Sequence, residues 1–482
     1  MLGDMQPFRM AGNLYFVGTR AASSHLLDTG DGLILIDTGY PETADVIVES
    51  VAALGFDIRD VKLILHSHGH RDHTGGTAKL LTMCHAETWL RREDGKYVTA
   101  FAPDHSYGDT EWIRLGNTAI RCVWTPGHTA GTMSFFFDVT ENGRTVRCGM
   151  FGGASPNQLR KSWLDDYGCS FDQRRQFYAS IEYLKTERVE LLVGNHTWDN
   201  DYPGNFARMA ETGENPFIDA GRWLAFLEAR REKMDRIIEE ESRTTFVNFA
   251  HRGASEYCPE NTLLSFYTGV FMGANGIETD VQRTADGKLV LFHDKTLERV
   301  TGDPRTVAEC TWEQLQQLRV TKNGLEDRIV AFEDFLDHFA FRPITFAIEL
   351  KAQGVGREVA ELVRRYGLEK RATITSFSFD CLTEVREFAP ELRCGYLTGA
   401  IDDAVIRMCR EAGVDELCPS VKIVTREAVA QWHRAGFRVR AWGLKTEADM
   451  RTVVEAGADG TTCNFPDLLA ALLRERDAAA EA

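Results

Sequence analysis

Two groups of residues in this chain have the chemistry to hold divalent cations and move protons, one group in each half. The first is His68-Gly69-His70-Arg71-Asp72-His73, inside the run LILHSHGHRDHTGG. His68 and His70 lie two apart in an extended loop and can face one ion together. Asp72 and His73 follow where a helix would begin and can turn toward a second ion. Imidazole and carboxylate suit Zn²⁺, and iron or manganese accepts the same donors. More imidazoles are needed, and two sit in matching contexts. His128 lies in TPGHTAG, where Pro and Gly fix a tight loop after a strand, and His196 ends the apolar run of LLVGNH. His66, two residues ahead of the spacing, is a candidate to brace a ligand from behind. His25, His85, His105, His338 and His433 read as ordinary core or surface histidines.

The second group is distributed: His251-Arg252-Gly253, Glu278 and Asp280, His293-Asp294, Glu349 and Lys351. Glu278 and Asp280 are two apart in GIETDV, so on a strand both carboxylates project from one face. Glu349 and Lys351 repeat that spacing in AIELK. Three converging carboxylates make a hard-oxygen site suited to Mg²⁺ or Ca²⁺. His251 and His293 end strands, where barrel enzymes keep acids and bases. Arg252 and Lys351 add positive charge suited to a phosphate.

The elements that must position these groups fall into two blocks. At 482 residues the chain exceeds one ordinary core, and two domains of roughly 200–250 residues follow. With 43% hydrophobic and 26% charged residues, the composition is that of a globular protein. A formal charge of −17 argues against nucleic acid and anionic membranes as partners. Eleven cysteines without a CxxC pair read as reduced thiols, and no apolar run approaches a membrane span, so the expected location is the cytoplasm. Up to about residue 242, short strands (NLYFVGT, SSHLLDT, GLILIDTGY, VKLIL, AIRCVWT, TMSFFFDV, TVRCGMF, VELLVGN) mix with helices, which predicts a layered α/β domain. An amphipathic helix over 219–241 closes it, with Ser242-Arg243-Thr244 as the joint. Beyond it, strands at FVNFA, GIETDV, LVLFH, TFAIEL, ATITSF, LRCGYL, ELCPSV, RVRAWG and DGTTCN alternate with amphipathic segments. That pattern predicts a parallel (β/α) barrel with its chemistry at the strands' C-terminal ends. Only QRTADGK is too short for a crossover, so its flanking strands should form a hairpin.

Residues 10–240 resemble the metallo-β-lactamase fold superfamily. The carrying motifs are IDTG at 36–39, SHGHRDHTGG at 67–76, TPGHTAG at 125–131 and GNH at 194–196. The resemblance implies an αββα sandwich with one metal on His68, His70 and His128 and a second on Asp72, His73 and His196. Many members bridge the metals with an Asp, but this chain has RCGMFGGASPNQL there, with no carboxylate between Glu141 and Asp165. In that respect it is similar to the third subclass of class B β-lactamases. The metals would activate a water for attack on a carbonyl or phosphoryl group, with Asp72 helping to hold it.

Residues 244–475 resemble the glycerophosphodiester phosphodiesterase family, through AHRGASEYCPENTLLSF, IETDVQRTADGKLVLFHD, IELK, TSFS, WG and GADGTTCNFPD. That resemblance implies His251 and His293 as the acid/base pair, Glu278, Asp280 and Glu349 as metal ligands, and Arg252 and Lys351 as phosphate ligands. Asn464 stands where the family usually has Asp and supplies no charge. The expectation is a bifunctional hydrolase: 1–242 a metallohydrolase using one or two zinc ions on an unidentified small molecule, and 243–482 a phosphodiesterase releasing glycerol 3-phosphate and an alcohol. One alternative makes the N-terminal zinc hydrolase the main enzyme, opening a lactam, lactone or other acyl bond. Another makes the N-terminal domain a non-catalytic binding or dimerisation module.

Overall fold

In the computed structural model, which describes residues 4–481, the run MSFFFDVTE forms strand Met133–Glu141. Successive side chains on a strand leave by opposite faces, so Phe135 and Phe137 enter one core while Phe136 meets Trp223 on the other side. That alternation explains why the strand must be covered twice. Five strands form its sheet in the order Leu191–Leu192, Arg144–Met150, Met133–Glu141, Thr118–Trp124, Thr110–Leu115. A second sheet has six strands in chain order, Phe8–Ala11, Leu14–Phe16, His25–Asp28, Leu33–Ile36, Val61–Leu65 and Glu87–Trp89. Phe16, Leu27, Ile34, Ile36 and Leu65 of the second sheet share one core with Ile120, Phe135, Phe137, Val146 and Cys148 of the first. Each such side chain gains about 1.5–3 kcal/mol on leaving water. Outside the six-stranded sheet, Leu26, Leu33 and Leu35 pack with Ala44, Ile47 and Val51 of helix Ala44–Ala53. The result is the expected αββα sandwich.

Three sequence expectations need amendment. Strands Phe8–Ala11, Glu87–Trp89 and Thr110–Leu115 lack a clear apolar run of their own, because each gains its order from a neighbouring strand. VELLVGN, read as a full strand, contributes only Leu191–Leu192. The closing helix runs from Arg222 to Ser242, and the two compact units, Met1–Arg236 and Ile237–Ala482, divide within it.

The second unit is a closed barrel of eight parallel strands: Val247–His251, Gly276–Arg283, Thr345–Leu350, Ala372–Ser376, Arg393–Thr398, Glu416–Pro419, Arg438–Ala441 and Gly460–Cys463. The last pairs in parallel with the first and leaves no edge. As QRTADGK predicted, Leu289–Leu291 folds back antiparallel on Gly276–Arg283. A further hairpin, Val320–Lys322 with Leu325–Asp327, was not anticipated. Asn323-Gly324 forms its two-residue turn, both at positive φ (52° and 77°), a strong local hairpin signal.

All eleven cysteines are free thiols, ten of them buried and Cys169 partly exposed. Among the described residues no helix is long and apolar enough to cross a membrane.

Candidate functional site

In the first unit the site is assembled at strand ends. Strand Val61–Leu65 delivers the turn carrying His68 and His70, and the short helix Arg71–Thr74 carries Asp72 and His73. His128 follows strand Thr118–Trp124, and His196 follows Leu191–Leu192. His128 donates from Nδ1 to the Ser155 carbonyl at 2.8 Å, which turns its Nε2 lone pair inward. There it lies 3.2 Å from His68 Nε2 and 3.1 Å from His70 Nδ1. Neighbouring ligands of a tetrahedral zinc, each at about 2.0–2.1 Å, stand about 3.3–3.4 Å apart. Three lone-pair nitrogens converging at that spacing fit one cation. Burial and the crowding imidazoles push His68 and His128 well below the ordinary histidine range. For His70 burial does the same, to about 4.

The remaining three residues face each other across Asp72. Its Oδ2 lies 3.3 Å from His73 Nε2 and 3.9 Å from His196 Nε2. His196 Nδ1 donates to the Ala21 carbonyl at 2.6 Å, and the exposed Trp198 stacks on its ring. Although burial disfavours charge on His73, Asp72 and Asp37 lift it to about 10. Asp37 went unassigned at the level of sequence, despite lying in IDTG. It sits at φ 57°, accepts from His73 Nδ1 at 2.8 Å and takes both the amide and hydroxyl of Ser67 at 2.7 Å. His66 lies behind the cluster: its Nε2 meets Thr77 Oγ1 at 3.1 Å, and its ring also interacts with the His73 backbone. Within the carboxylate-free stretch between Glu141 and Asp165, Gly153 packs on His128. A Cβ there would lie 2.6 Å from the His128 Cβ.

In the second unit, strand register does the positioning. Parallel pairing sets His251 beside Glu278 and Asp280 beside Glu349. The oxygens of Glu278, Asp280 and Glu349 all lie within 4.8 Å of one another. Burial and then Asp280 push Glu349 up to about 7, and the same causes hold Glu278 well above the usual carboxylate range. Asp280 is buried too, but Arg252 and Lys351 hold it down to about 2. Its Oδ1 has no hydrogen-bond partner. Crowded, buried carboxylates, one with an oxygen that accepts no hydrogen bond, fit a hard divalent cation, which would relieve the repulsion between them.

Arg252 adopts φ 54°, rare for a side chain this large. That conformation places Nε 3.2 Å from Asp280 Oδ2 and a terminal nitrogen 3.0 Å from Glu260. Lys351 Nζ lies 2.8 Å from Glu349 and 3.6 Å from Asp280. Each histidine is anchored through Nδ1: His251 to Asn464 Oδ1 at 2.6 Å, and His293 to Asp294 Oδ1 at 2.7 Å. Both Nε2 atoms stay clear of these anchors, and that of His251 lies 3.8 Å from Glu278. Burial lowers His251 to about 4 and also lowers His293.

Several further contributors are not legible from spacing alone. Asn261 donates to Asp280 Oδ2 at 2.9 Å. Arg299 ties Asp294 (2.5 Å) to Glu260 (2.6 Å), and so links the His293 anchor to the Arg252 anchor. Asn464, which offers no charge, still serves as a neutral acceptor for His251.

The model of the glycerophosphoryl diester phosphodiesterase family matches residues 251–468, and that of the metallo-beta-lactamase superfamily matches residues 17–143. A glycerophosphodiester phosphodiesterase of Caldanaerobacter subterraneus is 30% identical over 237 residues, covering 47% of this chain and 97% of that protein. Another from Bacillus subtilis is 30% identical, covering 45% and 83%. Among solved structures, the FEZ-1 metallo-beta-lactamase of Legionella gormanii is 25% identical, with a TM-score of 0.48 and coverage of 51% and 99%. The chain is thus a two-domain metal-dependent hydrolase in which residues 17–143 match the metallo-beta-lactamase superfamily model, and it belongs, through residues 251–468, to the glycerophosphoryl diester phosphodiesterase family.

Proposed function

We propose that residues 243–482 hydrolyse glycerophosphodiesters to glycerol 3-phosphate and an alcohol, and that residues 1–242 form a second metallohydrolase domain. The observation that carries the first reading is one barrel mouth holding three buried carboxylates, two cations and two anchored imidazoles. Glu278, Asp280 and Glu349 would hold Mg²⁺ or Ca²⁺. Zinc, or iron or manganese, would sit on His68, His70 and His128, with a second ion on Asp72, His73 and His196. Bound there, such ions supply Lewis-acid charge neutralisation at the oxygen under attack.

The rest of the chemistry belongs to side chains. Arg252 and Lys351 orient the phosphate and offset charge growing on its non-bridging oxygens. His251, with Nδ1 donating to Asn464, presents an unprotonated Nε2 that can receive the nucleophile's proton. His293, backed by the Asp294 carboxylate, is placed to give a proton to the leaving alcohol oxygen. Glu260 and Arg299 keep these groups from drifting.

For the N-terminal domain, a second reading is favoured by Gly153 packed on His128 and by the absence of a carboxylate between Glu141 and Asp165. Under it the domain opens a lactam, lactone or other acyl bond, with Asp72 orienting the attacking water.

The test is a substrate panel on the full chain, with and without chelator. Glycerophosphocholine and glycerophosphoethanolamine are assayed for glycerol 3-phosphate, and a chromogenic cephalosporin and aryl esters for acyl cleavage. The expected result is metal-dependent glycerol 3-phosphate release that His68→Ala leaves unchanged and Glu349→Gln abolishes. Release insensitive to Glu349→Gln would sink the assignment.

A further inference from the structure

Asp94 is fully buried and spends both carboxylate oxygens on the two loops that carry His68, His70 and His128. The Gly69 amide, between the first two histidines, donates to Oδ2 at 2.8 Å. Thr129 Oγ1, next to His128, donates to the same oxygen at 2.7 Å, and the Gly131 amide donates to Oδ1 at 2.8 Å. Space is as tight as the bonding. A Cβ on Gly69 would lie 2.9 Å from the Asp94 Cβ, and one on Gly131 would lie 2.6 Å from its Cγ. Glycine between His68 and His70 is therefore required by the close approach of Asp94, whose backbone oxygen would lie 2.8 Å from a Cβ on Gly69.

The donors are two amides and a hydroxyl, all neutral. A buried carboxylate whose hydrogen-bond donors are all neutral keeps much of its charge uncompensated, with Lys96 supplying only the smallest of the favourable interactions. A balancing positive charge has an obvious seat, the converging nitrogens of His68, His70 and His128, because Asp94 holds together the loops that carry them. Hydrogen-bonded supports of metal ligands typically tune affinity by about 10–100-fold.

We propose that Asp94 is a positioning residue of the N-terminal metal centre: its carboxylate straps the His68/His70 turn to the His128 loop, and its charge strengthens cation binding at those three imidazoles. This rests on the reading of the three histidines as metal ligands. It is distinct from the work of Asp37, which reaches His73 and Ser67 and makes no bond to the His128 loop.

The test measures zinc affinity of the full chain by competition with a chromophoric chelator, together with Tm in metal-free and zinc-loaded protein. Wild type, Asp94→Asn and Thr129→Val are compared. Asp94→Asn should bind zinc about 10–100-fold more weakly, and its zinc-loaded Tm should fall by more than its metal-free Tm. Thr129→Val keeps the charge and loses one hydrogen bond, so a drop of about 3–10-fold is expected; it decides the matter alone if Asp94→Asn does not fold. Zinc affinity within twofold of wild type in the variants would overturn the proposal, as would equal falls in the two Tm values. Wild-type protein that takes up no zinc would remove the metal-centre reading and this inference with it.

Discussion

His293→Ala isolates chemistry from folding better than any other change in the barrel mouth. The imidazole is 30% exposed and hangs at the end of a chain of contacts, Arg299 to Asp294 to His293. Removing it leaves Asp294 still paired with Arg299, so no buried charge is orphaned and no core cavity opens. Stability should change by no more than about 1 kcal/mol. Loss of a positioned general acid or base typically costs about 10²–10⁴-fold in rate, or about 3–5 kcal/mol of barrier. Asp294→Asn provides the graded comparison. It keeps an acceptor for Nδ1 but removes the charge behind the imidazole, so a smaller loss of about tenfold is expected. The assay couples glycerol 3-phosphate release to its dehydrogenase, with Tm measured alongside. A His293→Ala protein with unchanged Tm and turnover within threefold of wild type would refute the role, because an imidazole so placed would then be doing no proton transfer.

Asp280→Asn should abolish the divalent-cation dependence of diester turnover, since it removes the carboxylate that stands between Glu278 and Glu349 in the triad; unchanged metal activation would count against it. His128→Ala should lower bound zinc per chain, read by metal analysis, and leave glycerol 3-phosphate release unaltered. Phe135→Ala should cost about 3–5 kcal/mol of first-unit stability in denaturant melts, because the ring is fully buried between the two sheets. His25 gives a pH signature. It is fully buried against Tyr202, and burial holds its pKa down to about 3. The unfolded chain takes up a proton there below about pH 6.5 and the folded one does not until about pH 3. Its contribution is thus complete above pH 6.5 and lost progressively as pH falls toward 3, at about 1.4 kcal/mol per pH unit. His25→Gln should flatten the stability profile between pH 5 and 6 by roughly 1 kcal/mol per unit; an unchanged slope would show that the proton uptake lies elsewhere.

Motif spacing carried much of the candidate site. Glu278-x-Asp280 and Glu349-x-Lys351 are legible because strand periodicity alone decides which side chains share a face. His68-x-His70 is legible because a short loop leaves two imidazoles few ways to diverge. Elements with their own apolar run, such as Met133–Glu141 and the barrel strands, were equally plain. Glu87–Trp89 and Thr110–Leu115 were not, since their order comes from a partner strand. The Asn323-Gly324 hairpin carries a turn signal, but its two flanking strands are three residues each and mostly exposed, so no apolar alternation marks them.

By itself, then, the sequence determined which donors exist, which of them share a strand face, and that two separate folds must present them. Only tertiary structure decided what stands behind the donors: Asp37 behind His73, Asp94 across two loops, Asn464 on His251, and Arg299 joining Asp294 to Glu260. Those contacts join residues from 5 to 213 positions apart. A hydrogen bond between distant segments leaves no periodicity in the chain, because it is fixed by strand register and loop packing that exist only once the core has formed.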